Sequence, residues 1–148
     1  MLTPFKLVAF MASTLLLSTA VFSQETEHGG KPITVQMSGA EEAPTPGDPD
    51  GKGTATVRLN PGQGQICYEL KVSGIDAANA AHIHVGAAGK AGDVVVPLEA
   101  PNAEGTSKGC ATIDREVVKQ IMDKPSDYYV NVHNAKYPSG ALRGQLAK

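Results

Sequence analysis

Two short stretches of alternating apolar and polar residues contain three of the four histidines in this chain. Residues 81–86 read Ala-His-Ile-His-Val-Gly, and residues 128–134 read Tyr-Tyr-Val-Asn-Val-His-Asn. A period of two residues is typical of a β-strand that buries one face. The histidines of both stretches then lie on the faces opposite the apolar side chains. The side chains expected inside are Ile83, Val85, Val130 and Val132.

The same period recurs between segments that are rich in glycine and proline. It predicts further strands over residues 33–37, 54–59, 66–72, 94–98, 109–113 and 142–146. One helix interrupts the pattern, because Asp114 is a favourable N-cap and Pro125 limits the helix at its other end. The apolar stripe of this helix consists of Val117, Val118, Ile121 and Met122. The sequence therefore predicts an all-β, mostly antiparallel sandwich or barrel with one short helix.

The N-terminal segment predicts export. Lys6 precedes an apolar run over residues 7–17 and then small residues, which is the layout of a secretory signal peptide. The run is shorter than the roughly 20 apolar residues that cross a membrane. We expect a signal peptide over residues 1–23, a flexible leader over 24–32 and one domain over 33–148. The product would be extracytoplasmic, either periplasmic or secreted, and would have no membrane anchor after cleavage.

Both cysteines, Cys67 and Cys110, lie in predicted strands of the exported part. An even number of cysteines in an exported chain predicts one disulfide. The alternative is a cysteine nucleophile, which requires an activated thiolate beside a base. The oxidising compartment favours the disulfide.

The charge of the chain argues against nucleic acid as a partner. The formal net charge is −2, and the lysines are scattered along the sequence. Binding to phosphates requires clustered cations, which this sequence does not contain.

Several motifs in combination resemble the CHRD domain family, named after chordin. They are Gln-Ile-Cys-Tyr-Glu-Leu at 65–70, the histidine stretch at 81–86, Gly-Cys-Ala-Thr-Ile-Asp at 109–114, the tyrosine stretch at 128–133 and Gly-Ala-Leu-Arg-Gly-Gln-Leu at 140–146. The resemblance extends over residues 33–146. It implies an immunoglobulin-like antiparallel β-sandwich or barrel and an extracytoplasmic setting. It supplies neither a reaction nor catalytic residues, so we assign none.

The histidines suggest a metal site. Residues i and i+2 of a strand point the same way, so His82 and His84 can converge on one ion. His133 completes a three-nitrogen set, suited to copper or zinc, if the two histidine strands are neighbours. The alternative is a structural role, in which the histidines hydrogen-bond to the backbone of the glycine-rich segment 86–92. That segment otherwise reads as a flexible connection.

A recognition surface is a further hypothesis. If the last two strands pair, Asn131, His133, Arg143 and Gln145 share one exposed face. We therefore expect an exported, non-catalytic binding module whose partner is an extracytoplasmic protein, a glycan or a metal ion. The alternative function is a copper-dependent redox enzyme. The histidine pattern loosely resembles the copper ligands of copper–zinc superoxide dismutase, although the bridging histidine and the zinc-loop aspartate of that enzyme have no counterpart here.

Overall fold

The structure is a computed structural model, and it describes Gly30 and residues 32–147. The predicted signal peptide and His28 lie outside the described residues. The first strand begins at Pro32, one residue before the predicted start of the domain. No helix within residues 32–147 is long and apolar enough to cross a membrane.

Eight β-strands and one α-helix make up the described part of the chain. The strands are β1 (Pro32–Ser38), β2 (Lys52–Asn60), β3 (Gln65–Ser73), β4 (Ala78–Val85), β5 (Val94–Leu98), β6 (Thr106–Thr112), β7 (Tyr128–Asn134) and β8 (Leu142–Gln145). The helix α1 (Arg115–Asp123) lies between β6 and β7. Each predicted element is present, with bounds shifted by a few residues.

All strand pairs are antiparallel and form one sheet in the order β5-β4-β7-β8-β1-β2-β3-β6. The sheet curls until its two edge strands approach one another. There the Tyr68 hydroxyl accepts a hydrogen bond from the Glu99 N–H at 2.9 Å, and the Ser107 hydroxyl donates to the Glu99 carbonyl at 2.8 Å. The predicted all-β architecture is confirmed as a nearly closed barrel.

The inner face of the curled sheet forms the core. Ile83, Val130 and Val132 are fully buried there, as the alternation predicted. Helix α1 is capped by Asp114, whose side chain accepts a hydrogen bond from the Glu116 N–H, and it packs over the core. Val118 and Ile121 are buried, whereas Met122 is 46% exposed. Val117 is partly buried against the same core, so three of the four residues of the predicted apolar stripe make the core contact.

The prediction that Val85 is buried is wrong, because this side chain is 38% exposed. Val85 is the last residue of β4, and the pairing of β4 with β5 shifts register just before it, between Ile83 and His84. The alternation therefore ends before the strand does.

The predicted disulfide is present. Cys67 and Cys110 are paired directly opposite one another in β3 and β6, with an S–S distance of 2.09 Å. The bond attaches the edge strand β6 to the rest of the sheet.

The prediction of an exposed face on β7 and β8 is wrong. Asn131 and Arg143 are each 1% exposed, and Gln145 is 3% exposed. Two connecting segments fold back over this outer face, residues 39–51 and residues 86–92. These three polar side chains therefore bond to the covering segments and cannot serve as a recognition surface.

Candidate metal centre

Strands β4 and β7 bring the three histidines together. The strands are neighbours, as predicted, and their register pairs Ala80 with His133 and His82 with Asn131. His82 and His84 are two residues apart on one strand, so both side chains project from its outer face. His133 projects from the same face of β7, diagonally opposite His82.

The three imidazoles form one compact group. One ligand nitrogen from each of His82, His84 and His133 lies within 4.8 Å of the other two. The closest approach is 3.1 Å, between His82 Nδ1 and His133 Nε2. An ion bound at 2.0–2.1 Å from each nitrogen requires distances of about 3.3–3.6 Å between the nitrogens. A side-chain movement of about 1 Å therefore brings all three nitrogens into binding distance of one ion.

Backbone carbonyls fix the proton positions on two of the rings. Nδ1 of His84 lies 2.9 Å from the Gly92 carbonyl, and Nδ1 of His133 lies 3.0 Å from the Pro138 carbonyl. A carbonyl only accepts, so each Nδ1 carries the proton and each Nε2 presents a lone pair to the cluster. Metal-bound histidines are commonly held through such a bond from the second ring nitrogen.

His84 Nε2 is a buried polar atom with no hydrogen-bond partner among the described residues. Leaving a buried acceptor without a partner costs about 1–3 kcal/mol. With its proton on Nδ1, His133 accepts a hydrogen bond at Nε2 from His82 Nδ1 at 3.1 Å. Binding of one ion by all three rings therefore replaces this bond and moves the His82 proton to Nε2 of the same ring.

The electrostatics of the cluster keep two of the rings neutral. Burial lowers the pKa of His82, and the neighbouring His133 and His84 lower it further. Burial also lowers the pKa of His133, against the opposing effect of its bond to Pro138. Neutral imidazoles at pH 7 are the form that binds a metal.

A stack of three side chains supports the cluster from one side. The Tyr129 ring lies parallel to the His84 ring, with 4.9 Å between centroids and 6° between planes. The Arg143 guanidinium carbon lies 3.5 Å from the centre of the same Tyr129 ring. Sequence reasoning missed this stack. The only available signal was that Tyr129 and His133 share the polar face of one strand.

Arg143 and Gln145 hold the segment 86–92 over this stack. Arg143 donates to the carbonyls of Lys90 and Ala87 at 2.8 and 2.9 Å, and to the Gln145 side chain at 3.0 Å. Gln145 Nε2 lies within 2.9 Å of the carbonyls of Gly86, Ser126 and Tyr128. The segment is therefore attached to the sheet at several points, contrary to the expected flexible connection.

Gly92 closes the segment where it meets His84. Its carbonyl accepts from His84 Nδ1, and its N–H donates to the Tyr129 hydroxyl at 3.3 Å. A Cβ at this position would collide with the Val85 carbonyl oxygen. Only glycine therefore lets the chain pass closely enough to bond to both rings.

Glu42, from the other covering segment, lies beside Arg143. It is 7% exposed, and burial raises its pKa to about 7, against the opposing effects of the Arg143 charge and of hydrogen bonds from Ala43 and Asn131. Glu42 Oε1 and Asn131 Oδ1 lack hydrogen-bond partners among the described residues. A proton on this carboxyl therefore suits its surroundings better than a full negative charge.

The cluster offers three imidazole nitrogens, and no carboxylate or thiolate joins it within the described part of the chain. Imidazole ligands suit copper and zinc rather than calcium or magnesium, which take oxygen ligands. The structure thus brings together all three predicted metal ligands.

Comparisons with known proteins give one family. Comparisons with curated proteins and with solved structures gave no match. The CHRD domain matches residues 33–146, which is nearly the whole described chain and includes all three histidines. The chain belongs to the CHRD domain family.

Proposed function

We propose that this protein is an exported, non-catalytic CHRD module that binds one copper or zinc ion through His82, His84 and His133. The observation that carries the proposal is a group of three imidazoles with ligand nitrogens within 4.8 Å of one another, one of which, His84, has a buried Nε2 without a hydrogen-bond partner among the described residues. Its partner in the cell is then a metal ion, with or without a protein or glycan.

The setting supports the proposal. CHRD domains are typically extracellular, and the Cys67–Cys110 disulfide agrees with an oxidising compartment. Such a compartment gives access to copper and zinc without the competition from abundant thiols in the cytosol. A module of this kind would bind, store or present the ion.

Titration calorimetry tests the proposal on the exported protein and on four single variants. We expect one ion per chain for the wild type. His82→Ala, His84→Ala and His133→Ala should each weaken binding at least about tenfold, since each removes one of three ligands. His28→Ala is the matched control, because His28 lies in the predicted leader, and it should bind like the wild type.

Tyrosine fluorescence gives a second, independent measurement. The chain has four tyrosines and no tryptophan, so quenching of tyrosine emission is easily read. Copper(II) at His84 should quench the stacked Tyr129 strongly, and Tyr129→Phe should remove most of that quenching. Equal weak binding by all five proteins, without quenching, would leave the histidines a structural role.

The copper-dependent redox enzyme requires the same three ligands. Removal of superoxide by the copper-loaded protein, at a rate above that of the His84→Ala variant treated identically, would favour the enzyme. Binding without turnover would favour the module proposed above.

A further inference from the structure

Arg143 places a buried positive charge next to the histidine cluster. It is 1% exposed, and its guanidinium is held by the Lys90 and Ala87 carbonyls, by the Gln145 side chain and by the face of Tyr129. All of these partners are neutral. No carboxylate of the described residues lies within ion-pair distance of Arg143.

One aromatic ring separates this charge from a metal ligand. Tyr129 stacks on Arg143 and on His84, and His84 contributes Nε2 to the cluster. Glu42 is the carboxyl that interacts with Arg143, and its pKa of about 7 leaves it largely protonated below neutrality. The Arg143 charge is therefore only partly offset near the site.

We propose that the histidine centre takes copper as the monovalent ion, Cu(I), in preference to Cu(II) or Zn(II), and that Arg143 sets this preference. This inference rests on the metal site proposed above.

The first argument is the balance of charge. Three neutral imidazoles leave the full charge of the ion uncompensated, and the cost of desolvating an ion rises steeply with its charge. A neighbouring guanidinium adds repulsion in proportion to that charge. Roughly two ring-stacking distances separate the Arg143 guanidinium from the bound ion. At an effective dielectric constant of about 20, one extra unit of positive charge on the ion then weakens its binding by a factor of roughly 10 to 30.

The second argument is the number of ligands. Zinc held by three histidines takes a fourth ligand such as water, and copper(II) prefers a tetragonal arrangement of nitrogen and oxygen donors. The described residues supply three nitrogen donors. Cu(I) carries a single charge and accepts three ligands, so it needs no further donor at a buried site.

Competition with chromophoric chelators measures the three affinities separately. Cu(I) is titrated anaerobically with ascorbate as reductant, and Cu(II) and Zn(II) are titrated in air, all on the exported protein. We expect the wild type to bind Cu(I) at least about tenfold more tightly than Cu(II) or Zn(II). For copper, each tenfold difference between the two oxidation states raises the reduction potential of the bound ion by about 59 mV.

Variants at Arg143 test its role through the ratio of the two copper affinities. Arg143→Met removes the charge, so we expect the preference for Cu(I) over Cu(II) to fall roughly 10- to 30-fold. Arg143→Lys retains the charge and should retain most of the preference. Arg115→Met removes an exposed cation on α1 and is the matched control. If Arg143 only supported the fold, its substitution would weaken the binding of Cu(I) and Cu(II) alike and leave the ratio of the two affinities unchanged.

The outcomes separate the two proposals. Absence of binding by all three ions would overturn the metal site itself. Tighter binding of Cu(II) or Zn(II) than of Cu(I) by the wild type would overturn the preference while leaving the site. An unchanged ratio of Cu(I) to Cu(II) affinity in a folded Arg143→Met protein would show that Arg143 does not set the preference. If that variant does not fold, the affinity ratios of the wild type and of Arg143→Lys decide.

Discussion

Glu42 links the pH of the medium to the stability of the fold. Its pKa of about 7 in the folded protein lies above the ordinary value of 4.5, chiefly because the carboxyl is buried. The folded state therefore binds this proton more tightly than the unfolded chain does. The resulting stabilisation is fully present below about pH 4.5 and is lost as the pH rises through about 7.

Glu42→Gln should remove this pH dependence. Between pH 5 and pH 8, we expect the wild type to lose up to about 3 kcal/mol of unfolding free energy relative to Glu42→Gln. Urea denaturation of both proteins at a series of pH values measures the difference. Glu69→Gln serves as the control, since the Glu69 side chain is only partly buried and its bond to Lys71 lowers rather than raises its pKa. Parallel pH curves for wild type and Glu42→Gln would contradict the prediction.

The sequence predicted that the three histidines come together, but it did not predict the side chains and segments that surround them. His82 and His84 are recognisable because the two-residue period of a strand places both on one face, and His133 follows if β4 and β7 pair. The roles of Tyr129, Arg143 and Glu42 depend on where two connecting segments lie. Residues 86–92 and 39–51 cover the outer face through backbone carbonyls and a buried carboxyl, and no periodic pattern marks such contacts.

At the level of elements, the glycine-rich segment 86–92 shows how a loop becomes ordered. Its composition favours flexibility, yet four of its carbonyls, those of Gly86, Ala87, Lys90 and Gly92, accept hydrogen bonds from side chains of the sheet. Gln145 contributes because its one amide nitrogen donates to Gly86 of this segment, to Tyr128 of β7 and to Ser126 just before β7. The segment is therefore part of the surroundings of the histidine cluster.

Gln145→Ala should loosen this segment. The substitution removes the Gln145 donor from the Gly86 and Ser126 carbonyls, whereas the Tyr128 carbonyl keeps its bond from the Leu146 N–H. We expect a loss of about 2–4 kcal/mol in unfolding free energy. Amide hydrogen exchange in residues 86–92 should accelerate more than exchange in β2 and β3. Gln63→Ala is the control, because Gln63 bonds to Asn60 in an exposed turn, and it should cost less than about 0.5 kcal/mol. Equal effects of the two substitutions would show that Gln145 has no special role.

At the level of the whole molecule, the sequence predicted the strands but not the order of the sheet. Alternation and turns located each strand, and the family resemblance implied a sandwich or barrel. The order depends on contacts between distant segments: β8 lies between β7 and β1, and β6 pairs with β3 across an intervening hairpin and loop. These pairings are decided by burial of the common inner face, which a local pattern does not specify.

The disulfide links two neighbouring strands of this sheet covalently, because it joins β3 to the edge strand β6. The exported protein should take up no alkylating reagent without prior reduction, as intact mass would show. Replacing both cysteines, as Cys67→Ala with Cys110→Ala, should lower the unfolding free energy by up to about 4 kcal/mol, the chain-entropy value for a separation of 43 residues. The fold should persist, since the core packs without either sulfur. Hydrogen exchange should accelerate most in β6, which pairs with β3 alone among the strands that the structure describes. Metal affinity should not change, because the histidines lie on β4 and β7, and neither strand pairs with β6. A double variant that lost its metal along with its disulfide would show that the closure of the barrel positions the histidines.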